Sequence, residues 1–130
     1  KSIEYSEKPG TRDEVEIAEF IEHFLTSFNE KDIECFARYV PEDIRVTVNG
    51  KQFDKPYYTS VTRESMKRFQ AISYQGVIIR IKDMGATVYG TRVYFSTQGF
   101  PLSAPFMFRF AKKSGIWQLS EVTLPQQLQR

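Results

Sequence analysis

Between Ala86 and Ala111 the chain reads ATVYGTRVYFSTQGFPLSAPFMFRFA, and this stretch constrains the fold more than any other. Its period is two, which predicts two long strands joined by a turn at Gln98-Gly99-Phe100-Pro101. Alternation sets Val88, Gly90, Arg92 and Tyr94 on one face of the first strand and Tyr89, Thr91, Val93 and Phe95 on the other. The second strand carries Phe106, Phe108 and Phe110 on one side, and Met107, Arg109 and Ala111 on the other. Both faces of the first strand are largely apolar. An antiparallel sheet ordinarily leaves one face to water, so two covering layers are expected here. Helices supply one, and a second copy of the chain is expected to supply the other.

Upstream the period changes to that of a helix. Ile17, Phe20, Ile21, Phe24, Leu25 and Phe28 form one stripe, predicting a helix from about Arg12 to Asn29. Thr11 is its N-cap, and Asp13, Glu14 and Glu16 complement its positive end. His23, the single histidine, projects away from the stripe and reads as a surface residue, not a catalytic base. Asp32 caps a second helix, Ile33 to Val40, which turns Ile33, Phe36, Ala37 and Val40 inward and ends at Pro41. Asp43 to Asn49 alternates as a strand with Ile44, Val46 and Val48 on one side, and Asn49-Gly50 signals a tight turn. Lys51 to Tyr58 reads as a loop. Thr59, Ser60 or Thr62 caps a third helix reaching about Ala71, with Met66 and Phe69 on one side. From Ser73 the period is two again, broken by turns at Asp83-Met84-Gly85 and Lys112-Lys113-Ser114-Gly115. A last strand, Ile116 to Thr123, is closed by Pro125. Residues 1–11 form a polar arm, 12–124 a single domain, and 125–130 a polar tail. Helices first and a meander afterwards make an α+β fold, helices packed on one face of a curled antiparallel sheet.

A chain of 130 residues buries roughly two-thirds of its unfolded surface in one domain. No run approaches the ~20 apolar residues of a membrane span. The single cysteine, Cys35, has no internal disulfide partner and reads as a small buried thiol. That suits a cytoplasmic protein, or an extracytoplasmic one if a leader was removed before Lys1. Charge is segregated. Residues 1–56 hold 8 basic and 13 acidic side chains (−5), residues 57–130 hold 10 and 3 (+7), and together they give the net +2. The two fields meet inside the fold or between subunits, or the sheet side attracts an anion. Acidic helices and a near-neutral total argue against nucleic acid. One His and one Cys provide no metal-ligand cluster, no phosphate-cradling glycine loop is present, and no cofactor is expected.

The helix IAEFIEHFLTSFNEKDIECFARYV, the following DIRVTVNG, the segment ATVYGTRVYF and the closing KKSGIWQLSEV stand in an order that resembles the nuclear transport factor 2-like superfamily. This is the cystatin-like, cone-shaped fold that includes ketosteroid isomerase and the SnoaL-like polyketide cyclases. The resemblance implies a cone-shaped curved antiparallel sheet with three N-terminal helices on its concave face. ATVYGTRV is also similar to the pocket strand in the association domain of calcium/calmodulin-dependent protein kinase II, with an arginine at the position of Arg92. The other pocket arginines of that domain fall on Phe108 and near Leu124. The catalytic patterns of the enzymes in this superfamily find no match. Thr47-Val48 stands where the isomerase has its aspartate, Arg92-Val93-Tyr94 replaces the Arg-x-Asp pair of the epoxide hydrolases, and the dehydratase type needs two histidines.

Arg92 is the most informative side chain. A guanidinium does not lose its charge, so burial on the concave side demands a carboxylate, carbonyls or a bound anion. With Tyr94, Tyr39, Phe53, Tyr57, Tyr58, Phe69 and Phe108 it is expected to line an aromatic pocket for a small apolar or acidic ligand. Tyr74 is a further aromatic candidate for that wall. Tyr89, Thr91, Val93, Phe95 and Met107 are expected to form a two-fold homodimer interface on the convex face. The function expected is a non-catalytic small-molecule-binding or accessory domain. The alternative is an isomerase, cyclase or dehydratase in the same pocket, using tyrosines, Arg92, and Glu121 or Asp54.

Overall fold

The computed structural model describes residues 2–98 and 101–125, so Gly99 and Phe100 of the expected turn lie outside the described residues. Seven strands form one curved, unclosed sheet. They are β1 (Ile3–Tyr5), β2 (Arg45–Val48), β3 (Lys51–Phe53), β4 (Phe69–Lys82), β5 (Gly85–Ser96), β6 (Pro101–Lys113) and β7 (Ile116–Leu124). Their order across the sheet is β1-β4-β5-β6-β7-β2-β3. The meander β4 to β7 is antiparallel as expected, with Arg92 opposite Ala104 and Val88 opposite Phe108. The sheet as a whole is mixed, because β1 runs parallel to β4 and β2 parallel to β7.

Curvature comes from a bulge. Ile72 and Tyr74 of β4 face the helices, yet so do Val77 and Ile79; the inward parity switches from even to odd. The switch falls between Gln75 and Ile78, where the β4–β5 register shifts and Gly76 takes φ +61°. One extra residue bends the strand and raises its local twist. Gly90 of β5 lies directly against this bend. A Cβ there would sit 2.8 Å from the Gln75 carbonyl oxygen, 3.1 Å from that of Gly76 and 3.2 Å from the Phe106 ring. Another register shift, where β6 and β7 pair between Arg109 and Phe110, does the same for β7: Trp117 and Leu119 point inward before it, Val122 and Leu124 after it.

Three helices fill the hollow: α1 (Arg12–Asn29), α2 (Ile33–Arg38) and α3 (Lys55–Arg68). Thr11 caps α1 in a reciprocal capping box with Glu14. The expected α1 stripe is buried apart from half-buried Phe20, and His23 is exposed beside Tyr39. Phe24 stacks on Phe36 of α2 at 4.3 Å and meets Phe108 of β6 edge-on at 5.9 Å, which joins the layers through aromatic contacts. Polar ties fix both ends of α1. The Asn29 side chain exchanges two hydrogen bonds with the backbone of Ile72, and Lys31 Nζ donates to the Phe69 and Gln70 carbonyls. At the other end the Trp117 indole and Lys112 both donate to Asp13, at 3.0 and 3.1 Å.

Several boundaries differ from the sequence reading. Residues 1–11 are not wholly a loose arm, because Ile3–Tyr5 adds a strand along β4. Lys51–Phe53 is a strand of a hairpin with β2, through Asn49 at φ 52° and Gly50 at φ 81°. The third helix is capped by Asp54, whose carboxylate accepts from the Tyr57 N–H, and starts at Lys55 with Pro56 in its first turn. It ends at Arg68, where Phe69 turns extended and opens β4. Cys35 is half-buried, with Ser27 Oγ 3.0 Å from its sulfur. Among the described residues no helix is long and apolar enough to cross a membrane.

The bend at Gly76 and Gly90 gives the first expected outcome. Gly90→Ala places its methyl into two backbone carbonyls that have no room to retreat, so it destabilises the fold by about 1–3 kcal/mol. Urea unfolding of parent and variant measures this. An unchanged midpoint would show that the strands separate freely at this point.

Candidate functional site

Arg92 projects from β5 into the space between the sheet and α3, and only 5% of it is exposed. Inward alternation beside Val88 and Tyr94 puts it there, on the face the helices cover. Its Nη1 donates to the Tyr94 hydroxyl at 3.1 Å. Its Nε has no hydrogen-bond partner. The guanidinium carbon lies 5.3–6.0 Å from the ring centres of Tyr74, Phe106, Phe108 and Tyr94. Aromatic faces attract a cation, but they do not neutralise it. Among the described residues no carboxylate forms an ion pair with Arg92.

Burial opposes the Arg92 charge, while the surrounding phenols of Tyr94, Tyr74 and Tyr58 favour it by more, so the guanidinium is held above its already high range. Burial pushes the Tyr58 phenol up, with Arg92 only partly offsetting it, and Tyr74 is raised for the same reason. Tyr58 and Tyr74 therefore stay neutral at pH 7. A permanent cation sits in a buried, aromatic place with dipoles around it and, among the described residues, no compensating charge.

Beside it is a cavity of about 30 Å³, room for about two waters. Its polar lining is Arg92, Tyr58, Thr62, Ser65, Tyr74 and Tyr94, and its apolar lining includes Phe24, Phe28, Phe36 and Ile72. Tyr58, Thr62 and Ser65 follow one another at helical spacing along the inner face of α3, and all three are buried. Of the residues expected from the sequence, Arg92, Tyr94 and Tyr58 line this cavity. Phe69 packs on Tyr94 with ring centres 4.8 Å apart, and fully buried Phe108 lies beneath the guanidinium. Tyr39, Phe53 and Tyr57 are placed elsewhere: Tyr39 against Phe20, and Phe53 stacked on Tyr57 at 4.0 Å, half-buried. Asp54 is the cap of α3. Glu121 lies on the opposite sheet face with Arg45, Arg109 and Thr47. Thr62 and Ser65 were not among the expected residues. Their signal is the 58, 62, 65 spacing, visible only once Asp54 and Pro56 are read as the start of the helix.

Several solved structures share this fold. A protein of unknown function with a cystatin-like fold from Nostoc punctiforme superposes with a TM-score of 0.72 at 17% identity, covering 92% of this chain and 94% of that one. A Xanthomonas campestris protein described as a candidate calcium/calmodulin dependent protein kinase II association domain gives 0.72 at 13% identity, covering 96% and 95%. An NTF-2 like protein of unknown function from Shewanella oneidensis gives 0.70 at 13%, covering 85% and 97%. The chain thus has the nuclear transport factor 2-like, cystatin-like fold. No family model matches the sequence, and no curated protein matches it.

Two substitutions test the energetics of the buried cation. Arg92→Met keeps the length of the side chain and removes an unneutralised buried charge, so the unliganded protein gains about 1–4 kcal/mol. Tyr94→Phe removes the hydroxyl that accepts from Nη1 and costs about 1–3 kcal/mol. Chemical denaturation reads both. A large loss in Arg92→Met would mean that the charge has a compensating partner.

Proposed function

We propose that this domain is a non-catalytic or accessory binder of a small molecule bearing an anionic group, with Arg92 as the anchor. One observation carries the reading: a guanidinium 5% exposed, with Nε unpartnered and aromatic rings around it. An arginine so placed costs stability unless something negative joins it. The hydroxyls of Thr62, Ser65 and Tyr58 face the same cavity and supply neutral donors for a second oxygen of the anion. The volume admits a carboxylate head of the size of formate or acetate; a larger body requires the α3 wall at half-buried Val61 to move.

The enzymatic alternative is the weaker reading. General acid–base chemistry needs a titrating group within reach of the substrate, and among the described residues no aspartate or glutamate lines the cavity. The two carboxylates considered for that role, Asp54 and Glu121, are engaged elsewhere.

Thermal unfolding in sodium formate and acetate, against chloride at matched ionic strength, tests the anchor. The parent's midpoint rises saturably with carboxylate, as ligand linkage requires (about 2.7 kcal/mol at a hundredfold excess over Kd), and Arg92→Met does not respond. Equal midpoints in all three salts, or an equal response in Arg92→Met, would sink the reading.

The homodimer belongs to the same proposal. Tyr89 and Phe95 are 38% and 39% exposed on the outer sheet face, with Thr91 exposed between them and Met107 half-buried alongside. Val93, at 7%, is already covered within the chain, so it contributes shape more than new area. Light scattering at micromolar concentration is expected to give twice the chain mass, and Phe95→Glu to return it to one. A parent that stays at one chain mass removes the dimer.

A further inference from the structure

We infer that the outer face of the sheet carries a second, separate binding surface, a row of arginines that docks an acidic helical segment of a partner protein. The pairing registers of four strand contacts line up one transverse row: Arg80 on β4, Thr87 on β5, Arg109 on β6, Glu121 on β7 and Arg45 on β2. All five point away from the helices, because their neighbours Ile79, Val88, Phe108, Val122 and Val46 are buried in the core. The three arginine side chains are 54%, 54% and 55% exposed. Beside the row runs a hollow of about 640 Å³ lined by Arg80, Lys82, Gly85, Thr87, Arg109 and Arg45 among others. Ile81, Ala86, Phe110 and Ser120 complete its lining beside the four cations.

Charge and spacing select the occupant. The rim carries four cations, Arg80, Lys82, Arg109 and Arg45, against two carboxylates, Glu7 on Arg80 and the single Glu121 shared by Arg45 and Arg109. Two positive charges are left over. Neighbouring strands lie about 4.8 Å apart, so successive arginines of the row stand roughly 10 Å apart. Seven residues of helix rise about 10.5 Å, so acidic side chains one heptad apart on a helix laid across the strands meet each arginine in turn. Glu7 illustrates the mode: a carboxylate from the chain's own N-terminal segment approaches Arg80 at 2.7 Å. The row itself offers no aromatic platform of the kind that single-stranded nucleic acid stacks on. It lies on the opposite face from Arg92, so it stands or falls separately from the buried site, and on the outer face it borders the Tyr89, Thr91, Val93, Phe95 and Met107 patch, with Thr87 and Arg109 two residues along the strands from Tyr89 and Met107.

Fluorescence anisotropy with a labelled alanine-rich peptide of about 20 residues, helical at neutral pH and carrying glutamates one heptad apart, tests the surface at roughly 0.15 M salt. The parent binds, and raising the salt weakens it. Arg80→Ala with Arg109→Ala weakens it roughly tenfold, whereas Arg63→Ala on exposed α3 leaves it unchanged. Circular dichroism confirms that each variant folds. No binding by the parent, or binding indifferent to Arg80 and Arg109, overturns the inference. Tighter binding of an oligothymidylate of the same length overturns it in favour of nucleic acid, and growth of the particle beyond two chain masses in light scattering without any peptide overturns it in favour of further copies of this chain.

Discussion

The architecture depends on a single close approach, Gly90 of β5 lying in the crook of the β4 bulge at Gly76. Straight strands of this length would twist past the helix layer and leave α1 half exposed. The extra residue in β4 bends the sheet around α1, and only a residue without a Cβ lets the neighbouring strand follow the bend. Curvature then decides the packing. Phe106, Phe108 and Phe110 converge on the same centre, where Phe24 and Phe20 of α1 meet them edge-on at 5.9 and 5.1 Å. The polar ties at the ends of α1, to Ile72 at one and to Trp117 through Asp13 at the other, hold the bent sheet closed on its helices.

The same bend explains why a guanidinium ends up in the core. Arg92 is opposite Tyr74 across β4–β5, and Tyr74 faces inward only because the bulge follows it. Four rings then surround the cation, beside a small cavity with one charge and several hydroxyls. A core optimised for stability alone would carry methionine or leucine at this position. The position breaks the local rule against unneutralised buried charge with no structural gain in view, which is where function is to be sought.

Much of this was legible in the sequence, and the reasons for the rest are specific. The α1 limits and its Thr11 cap follow from a strong apolar stripe and a capping box. The faces of β5 and β6 follow from uninterrupted alternation. Tyr74 was legible as an aromatic candidate for the pocket wall and lines the cavity, but the reason for its inward turn was not: strict alternation does not encode the bulge at Gly76 that switches the inward parity of β4. Residues 3–5, Ile-Glu-Tyr, sit in an otherwise polar arm and are too short to read as a strand, because a three-residue edge strand depends on pairing with distant Tyr74 and Val77, a contact no local pattern encodes. For α3, the hydroxyl residues at 59–62 resemble caps, while the operative cap, Asp54 with Pro56 behind it, stands five residues earlier. That displacement hid Thr62 and Ser65, and a pocket reading built on aromatics looked instead to Tyr39, Phe53 and Tyr57.

Charge segregation along the chain has a resolution in three dimensions that links these parts. Part of the opposition closes internally, as Lys112 meets Asp13, Lys113 meets Asp43 and Arg80 meets Glu7. Each of these pairs joins the acidic first half to a neighbouring element, and the exposed ones contribute little to stability. Positive charge in excess of its partners stands on both faces of one sheet: Arg92 among aromatics inside, and outside the Arg80, Arg109 and Arg45 row, whose three guanidiniums share only Glu7 and Glu121 as ion-pair partners among the described residues. In the proposed reading, burial makes the first selective for size, because a cavity of about 30 Å³ takes only a small anion. Exposure makes the second selective for spacing, because screening by salt leaves an advantage only to a partner that meets several cations at once. One sheet thus presents the same residue type in two dielectric settings, and the setting, not the residue, determines what each can recognise.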